Sequence, residues 1–455
     1  MRPLERDASA GEVSGEPAAA AGPPAPRRNP WWIPPFLGGI PPEITPAQLR
    51  LIGIIALALL FESYDLSMLG SAIKFIREDF GLPQSEAGRL TALVRLGALP
   101  AIFVIPFIDR LGRRRVFLAA VVGMSVGTLL TAFAQNAWQF VAVQMVSRTF
   151  LITASATAFV IVSEELPAAR RGWGVGMLGA LGACGFGLGA LLFAAIDHLP
   201  FGWRFLYAVG VIPLLLLPRF RREVRETARF DRAREAGAVA PRSGGWLAPV
   251  VGIVRDHPGR ALGVALLGAL ASGGHASAFQ LMGDYLLTDR AWAPWQFSTL
   301  FIVGGVLGIV GHPAAGRFGD RFGRRAVAFV VLATFPLFTA LFYRGEGWLI
   351  PAAWIPAVFM VSGGNTVIRA ISTELFPTAS RGTATGWLML LETGGGALAL
   401  ATVTRLTPPG QSVAPAIALL SCLTLASAIV VLFLPETARR ELEQTSGERA
   451  DAGRP

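Results

Sequence analysis

Two carboxylates lie within an apolar stretch near the start of the chain. Glu62 and Asp65 belong to the segment FESYDLSMLG, residues 61–70, which follows the run LRLIGIIALALL. Residues three apart share one face of a helix, so both acids are expected to point the same way. Ionisable groups inside a membrane are costly and usually face a partner or a water-filled path. We therefore predict that Glu62 and Asp65 take part in proton coupling.

Two arginines are the most deeply placed basic residues of the first half of the chain. Arg95 lies in LVRLGALP and Arg148 in QMVSRTFLITASATAFV, so apolar or small residues surround both. A guanidinium group offers a planar fork that matches a carboxylate with two hydrogen bonds. At least one of the two is expected to bind the anionic group of a solute. The alternative for Arg95 is that it reaches towards the membrane surface or pairs with a loop acid.

Polar residues of the second half extend the set of candidates. His275 lies 210 residues after Asp65, which is also the spacing between the duplicated motifs EELPAARRG and ELFPTASRG, so it is predicted to occupy the position related to Asp65 by symmetry. The alternative is a hydrogen-bonded structural histidine. Further substrate-binding candidates in apolar segments are Gln280, Asn365 and Glu392. Arg369 and Asp284 lie nearer the ends of their apolar segments and are expected to be solvated.

Motifs of enzyme active sites are not found in the sequence. It contains no G-x-x-x-x-G-K-S/T phosphate loop, no H-E-x-x-H and no C-x-x-C. The two cysteines, Cys184 and Cys422, lie in different apolar segments, which argues against a disulfide framework or a metal cluster. We expect neither an enzyme nor a cofactor or metal requirement.

The elements that position these residues are predicted to be membrane-spanning helices. Hydrophobic residues make up 53% of the 455 residues, charged residues only 15%, and the mean hydropathy is +0.53. Apolar stretches long enough to cross a bilayer recur along the whole chain. Twelve spans are predicted at about residues 50–72, 88–108, 115–135, 138–163, 173–196, 203–218, 260–287, 296–316, 326–343, 348–372, 382–404 and 412–434.

Basic residues predict which side of the membrane each connection faces. Residues 219–260 contain ten arginines against five acids, and further arginines lie between spans 2 and 3. The positive-inside rule makes these connections and both termini cytoplasmic. The net charge of +10 is thereby explained by loops beside anionic lipid, without nucleic-acid binding. We expect a monomer in the cell inner membrane.

The polar stretch divides the spans six and six. The predicted organisation is a disordered cytoplasmic tail at 1–45, a six-helix bundle at 46–218, a cytoplasmic linker at 219–258, a second six-helix bundle at 259–436 and a cytoplasmic tail at 437–455.

Two motifs are duplicated at nearly the same offset. DRLGRR at 109–114 returns as DRFGRR at 320–325, and EELPAARRG at 164–172 returns as ELFPTASRG at 374–382. Offsets of 211 and 210 residues indicate two related six-helix halves. Parallel repeats with a substrate site between them at mid-membrane are an established plan for transporters.

These motifs resemble the loop signature of the major facilitator superfamily, G-x-x-x-D-R/K-x-G-R/K-R/K, and the resemblance covers about residues 46–440. The second copy matches it fully, whereas the first has Ile105 in place of the leading glycine, so close backbone packing is expected only at Gly316. The resemblance implies a gate at the cytoplasmic side formed by Asp109, Arg110, Gly112, Arg113, Arg114, Glu164, Arg171, Gly316, Asp320, Arg321, Gly323, Arg324, Arg325, Glu374 and Arg381.

Within that superfamily the chain is most similar to metabolite:proton symporters, including the aromatic-acid and sugar-porter branches. The similarity rests on Asp65 and Gly70 as D-x-x-x-x-G, on Arg148 followed by EELPAARRG, and on PETARREL at 435–442. Aromatic-acid symporters often carry two aspartates three apart in the first span, and here the first is Glu62. The resemblance makes Asp65 the first candidate for the coupling proton and Glu62 a modulator or solute contact. The G-x-x-x-G-P motif typical of drug:proton antiporters is not found in span 5.

The sequence thus predicts an all-α membrane protein with twelve helices in two pseudo-symmetric bundles. The predicted function is secondary active transport, with a small organic solute, most simply a carboxylate, imported together with protons. The alternatives are a sugar or polyol symporter, a proton-coupled exporter, and a receptor of the same fold that no longer transports.

Overall fold

The structure, a computed structural model, describes residues 40–104, 111–167, 170–235, 248–376 and 381–438. Twelve helical segments in these ranges are long and apolar enough to cross a membrane. The predicted number and order of the spans are therefore confirmed.

The first six spans occupy the chain up to the polar connection. Span 1 is Pro46–Asp79; span 2 consists of the 3-10 turn Gln84–Glu86 and the helices Ala87–Leu96 and Ala101–Val104; span 3 is Arg113–Thr131; span 4 is Ala137–Glu165; span 5 is Arg171–Ala194; and span 6 consists of Trp203–Ala208, Val211–Leu215 and Leu217–Glu223. A 3-10 turn, Ile196–His198, lies between spans 5 and 6.

The connection and the second six spans follow. The connection contains the helices Ala228–Glu235 and Ala248–Asp256. Span 7 consists of Pro258–Gln280 and Met282–Thr288; span 8 of Pro294–Ile309 and Gly311–Phe322; span 9 is Arg324–Arg344; span 10 is Leu349–Glu374; span 11 is Arg381–Leu406; and span 12 consists of Ala414–Ser421 and Leu423–Phe433.

Local sequence signals set the start of span 1. The Thr45 hydroxyl accepts a hydrogen bond from the Gln48 N–H at 3.2 Å, and the Gln48 side chain accepts one from the Thr45 N–H at 3.0 Å. This reciprocal capping satisfies two N–H groups that a helix start otherwise leaves without partners. Pro46 occupies the first helical turn, where its missing N–H costs nothing. Span 1 therefore begins earlier than hydropathy predicts.

Three pairs of spans join the two halves: spans 1 and 7, spans 2 and 11, and spans 5 and 8. Spans 3 and 6 instead pack within the first half, against span 4, span 1 and each other. The duplicated loops, which begin spans 3 and 9, lie at one end of the bundle, and we call it the inner end in line with the predicted sidedness. The opposite end is called the outer end.

Glycine allows the halves to approach closely towards the outer end. A Cβ atom at Gly283 in span 7 would lie 2.6 Å from the Gly70 carbonyl oxygen in span 1. A Cβ atom at Gly88 in span 2 would lie 2.3 Å from the Leu400 carbonyl oxygen in span 11. Both separations are far below van der Waals contact, so these crossings require glycine. Gly70, noted in the sequence for its spacing from Asp65, thus contacts the opposite half.

Candidate functional site

The Asp65 carboxylate is buried inside the first half, with an exposed fraction of 1%. Thr128 of span 3 donates a hydrogen bond from Oγ1 to Asp65 Oδ1 at 2.8 Å. The Thr128 hydroxyl also lies 3.3 Å from the Ser147 hydroxyl of span 4, which donates to the Met124 carbonyl at 3.1 Å. The other oxygen, Asp65 Oδ2, is buried and has no hydrogen-bond partner among the described residues. A carboxylate held through one oxygen keeps the second available for a proton.

Glu62 and Arg148 complete a charged cluster around Asp65. Glu62 is also buried, with an exposed fraction of 7%, and its polar neighbours are Ser155 and Arg148 of span 4. Arg148 is half-buried and lies within electrostatic range of both acids. Its Nε atom is buried without a hydrogen-bond partner among the described residues. The structure therefore brings the predicted acids and arginine together and leaves the arginine with unused donor capacity.

Arg95 crosses from the first half to the second. Its Nη2 donates to the Ser272 hydroxyl of span 7 at 2.9 Å and to the Glu392 carbonyl of span 11 at 3.2 Å. Its Nε donates to the Thr393 carbonyl at 3.3 Å. In this state the Arg95 guanidinium is hydrogen-bonded to the opposite half. Its contact with a solute stays a prediction.

The glycine run after Glu392 makes room for this crossing. A Cβ atom at Gly396 would lie 2.5 Å from Arg95 Nε, and one at Gly395 would lie 2.2 Å from the Ala269 carbonyl of span 7. A Cβ atom at Gly394 would meet nothing within 4 Å. Gly396 therefore leaves space for the Arg95 side chain, and Gly395 leaves space for the backbone of span 7.

The remaining candidates of the second half lie in two places. The Glu392 carboxylate is 3.9 Å from Arg369 Nη2, whose side chain is 61% exposed, so Arg369 is solvated as predicted while also facing an acid. Asn365 is half-buried on span 10, one residue before Thr366, whose hydroxyl lies 2.8 Å from His312 Nδ1. Sequence reasoning did not single out His312.

His275 and Gln280 are enclosed rather than grouped with those residues. The His275 ring packs edge-on against Phe335 of span 9 at a centroid distance of 4.7 Å. His275 Nε2 and Gln280 Oε1 are buried without hydrogen-bond partners among the described residues. His275 on span 7 faces span 9, much as Asp65 on span 1 faces span 3, which agrees with its position one repeat length away.

The outer end carries a buried ion pair between the halves. Arg77 Nε of span 1 donates to Asp284 Oδ1 of span 7 at 2.7 Å, and Arg77 Nη2 donates to the Thr288 hydroxyl at 2.8 Å. The exposed fractions of the Arg77 and Asp284 side chains are 6% and 0%. The prediction that Asp284 is solvated is therefore wrong. Spans 1 and 7 approach closely at Gly70 and Gly283, and the adjacent Asp284 is buried between them.

Further contacts close the outer end beside this pair. Lys74 Nζ donates to the Leu287 carbonyl at 2.9 Å, and Asp289 accepts hydrogen bonds from Gln84 at 3.1 Å and Ser412 at 2.6 Å. Gln84 belongs to the first half, whereas Asp289 and Ser412 belong to the second. The halves are thus held together at the outer end by polar contacts as well as by packing.

At the inner end the first duplicated loop forms a network within its own half. Arg113 donates from Nε and Nη2 to the Glu164 carboxylate at 3.0 to 3.3 Å. Thr227 donates to the same carboxylate at 2.5 Å. Glu226 accepts hydrogen bonds from the backbone N–H groups of Arg113 at 2.8 Å and Arg114 at 3.3 Å. The start of span 3 is thereby tied to span 4 and to the segment after span 6.

The second loop repeats this network. Arg324 donates to the Glu374 carboxylate at 3.0 to 3.1 Å, and Thr437 donates to it at 2.6 Å. Glu436 accepts from the backbone N–H groups of Arg324 at 2.9 Å and Arg325 at 3.1 Å. Burial of part of the Glu436 carboxyl favours its neutral form, but N–H donors from Ala438, Arg324, Arg325 and Thr437 hold its pKa below the ordinary range.

Sequence reasoning used PETARREL at 435–442 only for the family resemblance and missed the capping role of its glutamate and threonine and of their first copy, although a signal was present. The tetrapeptide ETAR occurs at 226–229 and again at 436–439, an offset of 210 residues. The motifs EELPAARRG and ELFPTASRG are separated by the same 210 residues. A comparison of the two halves for short identical strings would have found Glu226, Thr227, Glu436 and Thr437.

Two of the three glycines of the loop signature are required by their backbone conformation. Gly112 and Gly323 have backbone φ values of 95° and 101°, a region that residues with a Cβ atom rarely adopt. A Cβ atom at Gly316 would meet nothing within 4 Å. The expectation of close backbone packing at Gly316 is therefore wrong for this state.

The other predicted gate residues are placed as follows. Asp109 and Arg110 lie outside the described residues. Asp320 is 69% exposed and lies 3.2 Å from Arg324, which is four residues on and begins span 9, and the Arg321 guanidinium stacks on the Phe322 ring at 5.3 Å. Arg171 begins span 5, and its Nε is buried without a hydrogen-bond partner among the described residues; Arg381 begins span 11. The gate role of this set stays a prediction.

Comparison with known proteins places this arrangement among transporters. The sequence profile described as Major Facilitator Superfamily matches residues 55–400 and 264–453. The chain is 28% identical over 373 residues to the gallate transporter of Pseudomonas putida, an alignment covering 75% of this chain and 82% of the relative. It is 28% identical over 364 residues to the cis,cis-muconate transport protein of Acinetobacter baylyi, covering 78% and 86%.

A solved structure supports the same fold. The inward-open xylose transporter XylE from E. coli superposes with a TM-score of 0.72 at 18% identity, covering 88% of this chain and 99% of that chain.

Proposed function

Since the chain belongs to the major facilitator superfamily, we propose that it is a secondary active transporter that carries a small organic carboxylate inward together with protons. The chain is a multi-pass membrane protein with twelve spans, and small-molecule transport is the activity of its relatives. The proposal concerns the class of solute, the coupling to protons and the direction.

The cluster of Glu62, Asp65 and Arg148 is the observation that carries this proposal. It combines two buried acids with a guanidinium group whose Nε has no hydrogen-bond partner among the described residues, on the middle turns of spans 1 and 4. The middle of the membrane is where a solute site between two helical halves is expected. Residues of this kind inside a membrane are costly, and ion and substrate pathways are where they occur.

Arg148 is the proposed ligand of the solute carboxylate. The buried Nε atom of Arg148 lacks a hydrogen-bond partner among the described residues, so it can donate to a planar anion without first breaking another hydrogen bond. The names of the two relatives, for gallate and cis,cis-muconate, refer to carboxylates, which supports an organic acid over a neutral sugar.

Two six-helix bundles, residues 46–218 and 259–436, are proposed to rock about the site. The contacts of Arg77, Lys74, Gln84 and Arg95 hold the outer end closed, so we assign this structure to an inward-facing state with both termini in the cytoplasm. The paired networks of Glu164 and Glu374 lie at the opposite end, where they brace spans that must move when that end closes.

Coupling requires that solute and proton favour the two states unequally. A ligand that binds both states with equal affinity shifts nothing. Arg148 lies beside both acids, so a carboxylate bound to Arg148 competes with them for its positive charge. Binding of the solute anion thereby favours a proton on one acid, and loss of the solute on the inner side favours release of that proton.

Uptake by purified protein in proteoliposomes tests the proposal. A panel of labelled aromatic acids, dicarboxylates, sugars and polyols is presented with an imposed inward proton gradient. We expect accumulation of an organic acid above its equilibrium level, accompanied by alkalinisation outside and abolished by a protonophore. Accumulation of neutral sugars alone would instead identify the sugar symporter that the sequence left open, and gradient-driven efflux would identify an exporter.

A further inference from the structure

Asp65 is approached from within the first half rather than from the space between the halves. Its hydrogen-bond donor, Thr128, lies on span 3, and span 3 packs against spans 4 and 6 of the same half. Span 6 comes close to Thr128 because a Cβ atom at Gly210 would lie 2.6 Å from Thr128 Cγ2. The hydrogen bond between Thr128 and Asp65 therefore lies on the side of span 1 that packs against span 3 of the same half.

A small cavity adjoins this bond. It is lined by Tyr64, Ser125, Thr128 and Gly210 together with apolar side chains, and its volume is about 10 Å³. That volume is the lower limit for a single water molecule. The Ser125 hydroxyl is buried without a hydrogen-bond partner among the described residues. A water here would find the hydroxyls of Ser125 and Thr128 as partners, which meets the minimum of two that buried water requires.

We propose that this cavity binds one water molecule and that the water and the Thr128 hydroxyl pass protons to and from Asp65. This inference rests on the proposed role of Asp65 in proton coupling. It assigns Thr128 as a positioning and relay residue, and it gives protons a route that does not pass through the solute site at Arg148.

The transfer is balanced at each oxygen. An excess proton arriving on the cavity water forms a bond to Thr128 Oγ1 as its bond to the water breaks. The original Thr128 proton moves along the existing hydrogen bond to Asp65 Oδ1, 2.8 Å away. The Thr128 hydroxyl and the water are both restored as neutral groups, and Asp65 becomes the neutral acid. Release on the other side runs through the same bonds in reverse.

The groups that face Asp65 from its neighbouring helices are compatible with a proton route through Thr128 that is separate from the solute site at Arg148. Glu62 and Tyr64 lie on its own span, Arg148 on span 4 and Tyr207 on span 6. The Tyr207 hydroxyl is buried without a hydrogen-bond partner among the described residues, so span 6 adds a second polar group to this region. Arg148 is the positively charged group in this set, and it is the proposed ligand of the solute carboxylate.

Substitution of Thr128 tests the relay. Thr128→Val keeps the shape of the side chain and removes the hydroxyl, whereas Thr128→Ser keeps the hydroxyl. The matched control is Thr157→Val, since Thr157 is equally buried in the same half but donates only to the Thr153 carbonyl of its own helix, at 2.7 Å. The readouts are proton-driven uptake and solute counterflow exchange, measured on the same proteoliposomes.

We expect Thr128→Val to slow proton-driven uptake by about 100-fold or more, as loss of a positioned proton-transfer group does. Counterflow and its half-saturation concentration should stay close to those of the unsubstituted protein, and Thr128→Ser and Thr157→Val should retain uptake. Equal losses of uptake and counterflow in Thr128→Val, or normal uptake in it, would overturn the relay. The proposed function fails separately, if Asp65→Asn still accumulates solute against its gradient.

Discussion

The Arg95 guanidinium of span 2 donates to the Ser272 hydroxyl of span 7, 2.9 Å away, and thereby joins the two halves of the protein. The same guanidinium also donates to two backbone carbonyls of span 11. In the proposed alternation between an inward-facing and an outward-facing state, these partners move relative to span 2. We therefore expect the contact to break when the outer end opens.

Gly396→Ala should undo this contact. The new methyl group would lie 2.5 Å from Arg95 Nε, and the flexible arginine rather than the backbone must give way. We expect the state that is closed at the outer end to lose about 1 to 3 kcal/mol of stability, the usual cost of overpacking. The readout is increased labelling of a single cysteine introduced at the outer end of a variant that lacks Cys184 and Cys422. Gly394→Ala is the control, because its methyl group meets nothing within 4 Å. Arg95→Gln and Gly396→Ala should not be additive, and full additivity would contradict the shared mechanism.

Asp284→Asn should open the outer end. It leaves the Arg77 guanidinium buried without its counter-charge, which typically costs about 3 to 5 kcal/mol. The cost falls on the state that buries the pair, so the population should shift towards outward-facing molecules, measured by cysteine accessibility from outside. The exposed Asp197→Asn is the control. An apolar pair, Arg77→Met with Asp284→Leu, should restore closure. Unchanged accessibility of the Asp284→Asn protein would contradict a role of this ion pair in closing the outer end.

Glu436→Gln should weaken the inner-end network in a pH-dependent manner. The pKa of Glu436 lies below its ordinary range, so its contribution is present above that range and is lost as the pH falls through the lowered pKa. We expect a loss of about 1 kcal/mol at neutral pH, typical of a helix cap, in thermal unfolding of detergent-solubilised protein. The difference from the unsubstituted protein should vanish in acid. A difference independent of pH would contradict the assigned carboxylate role, and the exposed Glu346→Gln serves as control.

Arg148→Lys should weaken the binding of carboxylate solutes although the charge is kept. An ammonium group cannot reproduce the planar two-bond contact of a guanidinium with a carboxylate. Loss of one charge-assisted hydrogen bond corresponds to about 1.5 to 3 kcal/mol, or roughly ten- to 150-fold in affinity, measured by equilibrium binding of labelled acid. Unchanged affinity would remove Arg148 from the solute site.

Asp65→Asn should abolish uphill accumulation and retain solute exchange. Exchange returns a loaded carrier and needs no net release of a proton, whereas accumulation does. The measurement is uptake under an imposed proton gradient beside counterflow without one. Glu62→Gln is the comparison, since Glu62 is expected to alter solute affinity before it alters coupling. Asp65→Asn protein that accumulates solute with proton influx intact would disprove the assignment of Asp65.

The sequence alone determined the twelve spans, their order and the relation between the two halves. Hydropathy is additive along a helix, so the length of each apolar run decides whether it can cross a bilayer. The repeats at 109–114 and 320–325 likewise need no coordinates to be recognised. The acids at 62 and 65 and the arginine at 148 were found because charge is rare in such surroundings.

The tertiary structure alone decided what these residues contact. Arg95 and Arg148 have similar apolar surroundings in the sequence, yet Arg95 reaches carbonyls of the opposite half and Arg148 stays beside the two acids. Asp284 lies near a span end and is nevertheless fully buried, because Gly70 and Gly283 bring two helices together. Contacts of this kind depend on the angle and distance between helices far apart in the chain, which a linear pattern of hydropathy does not encode.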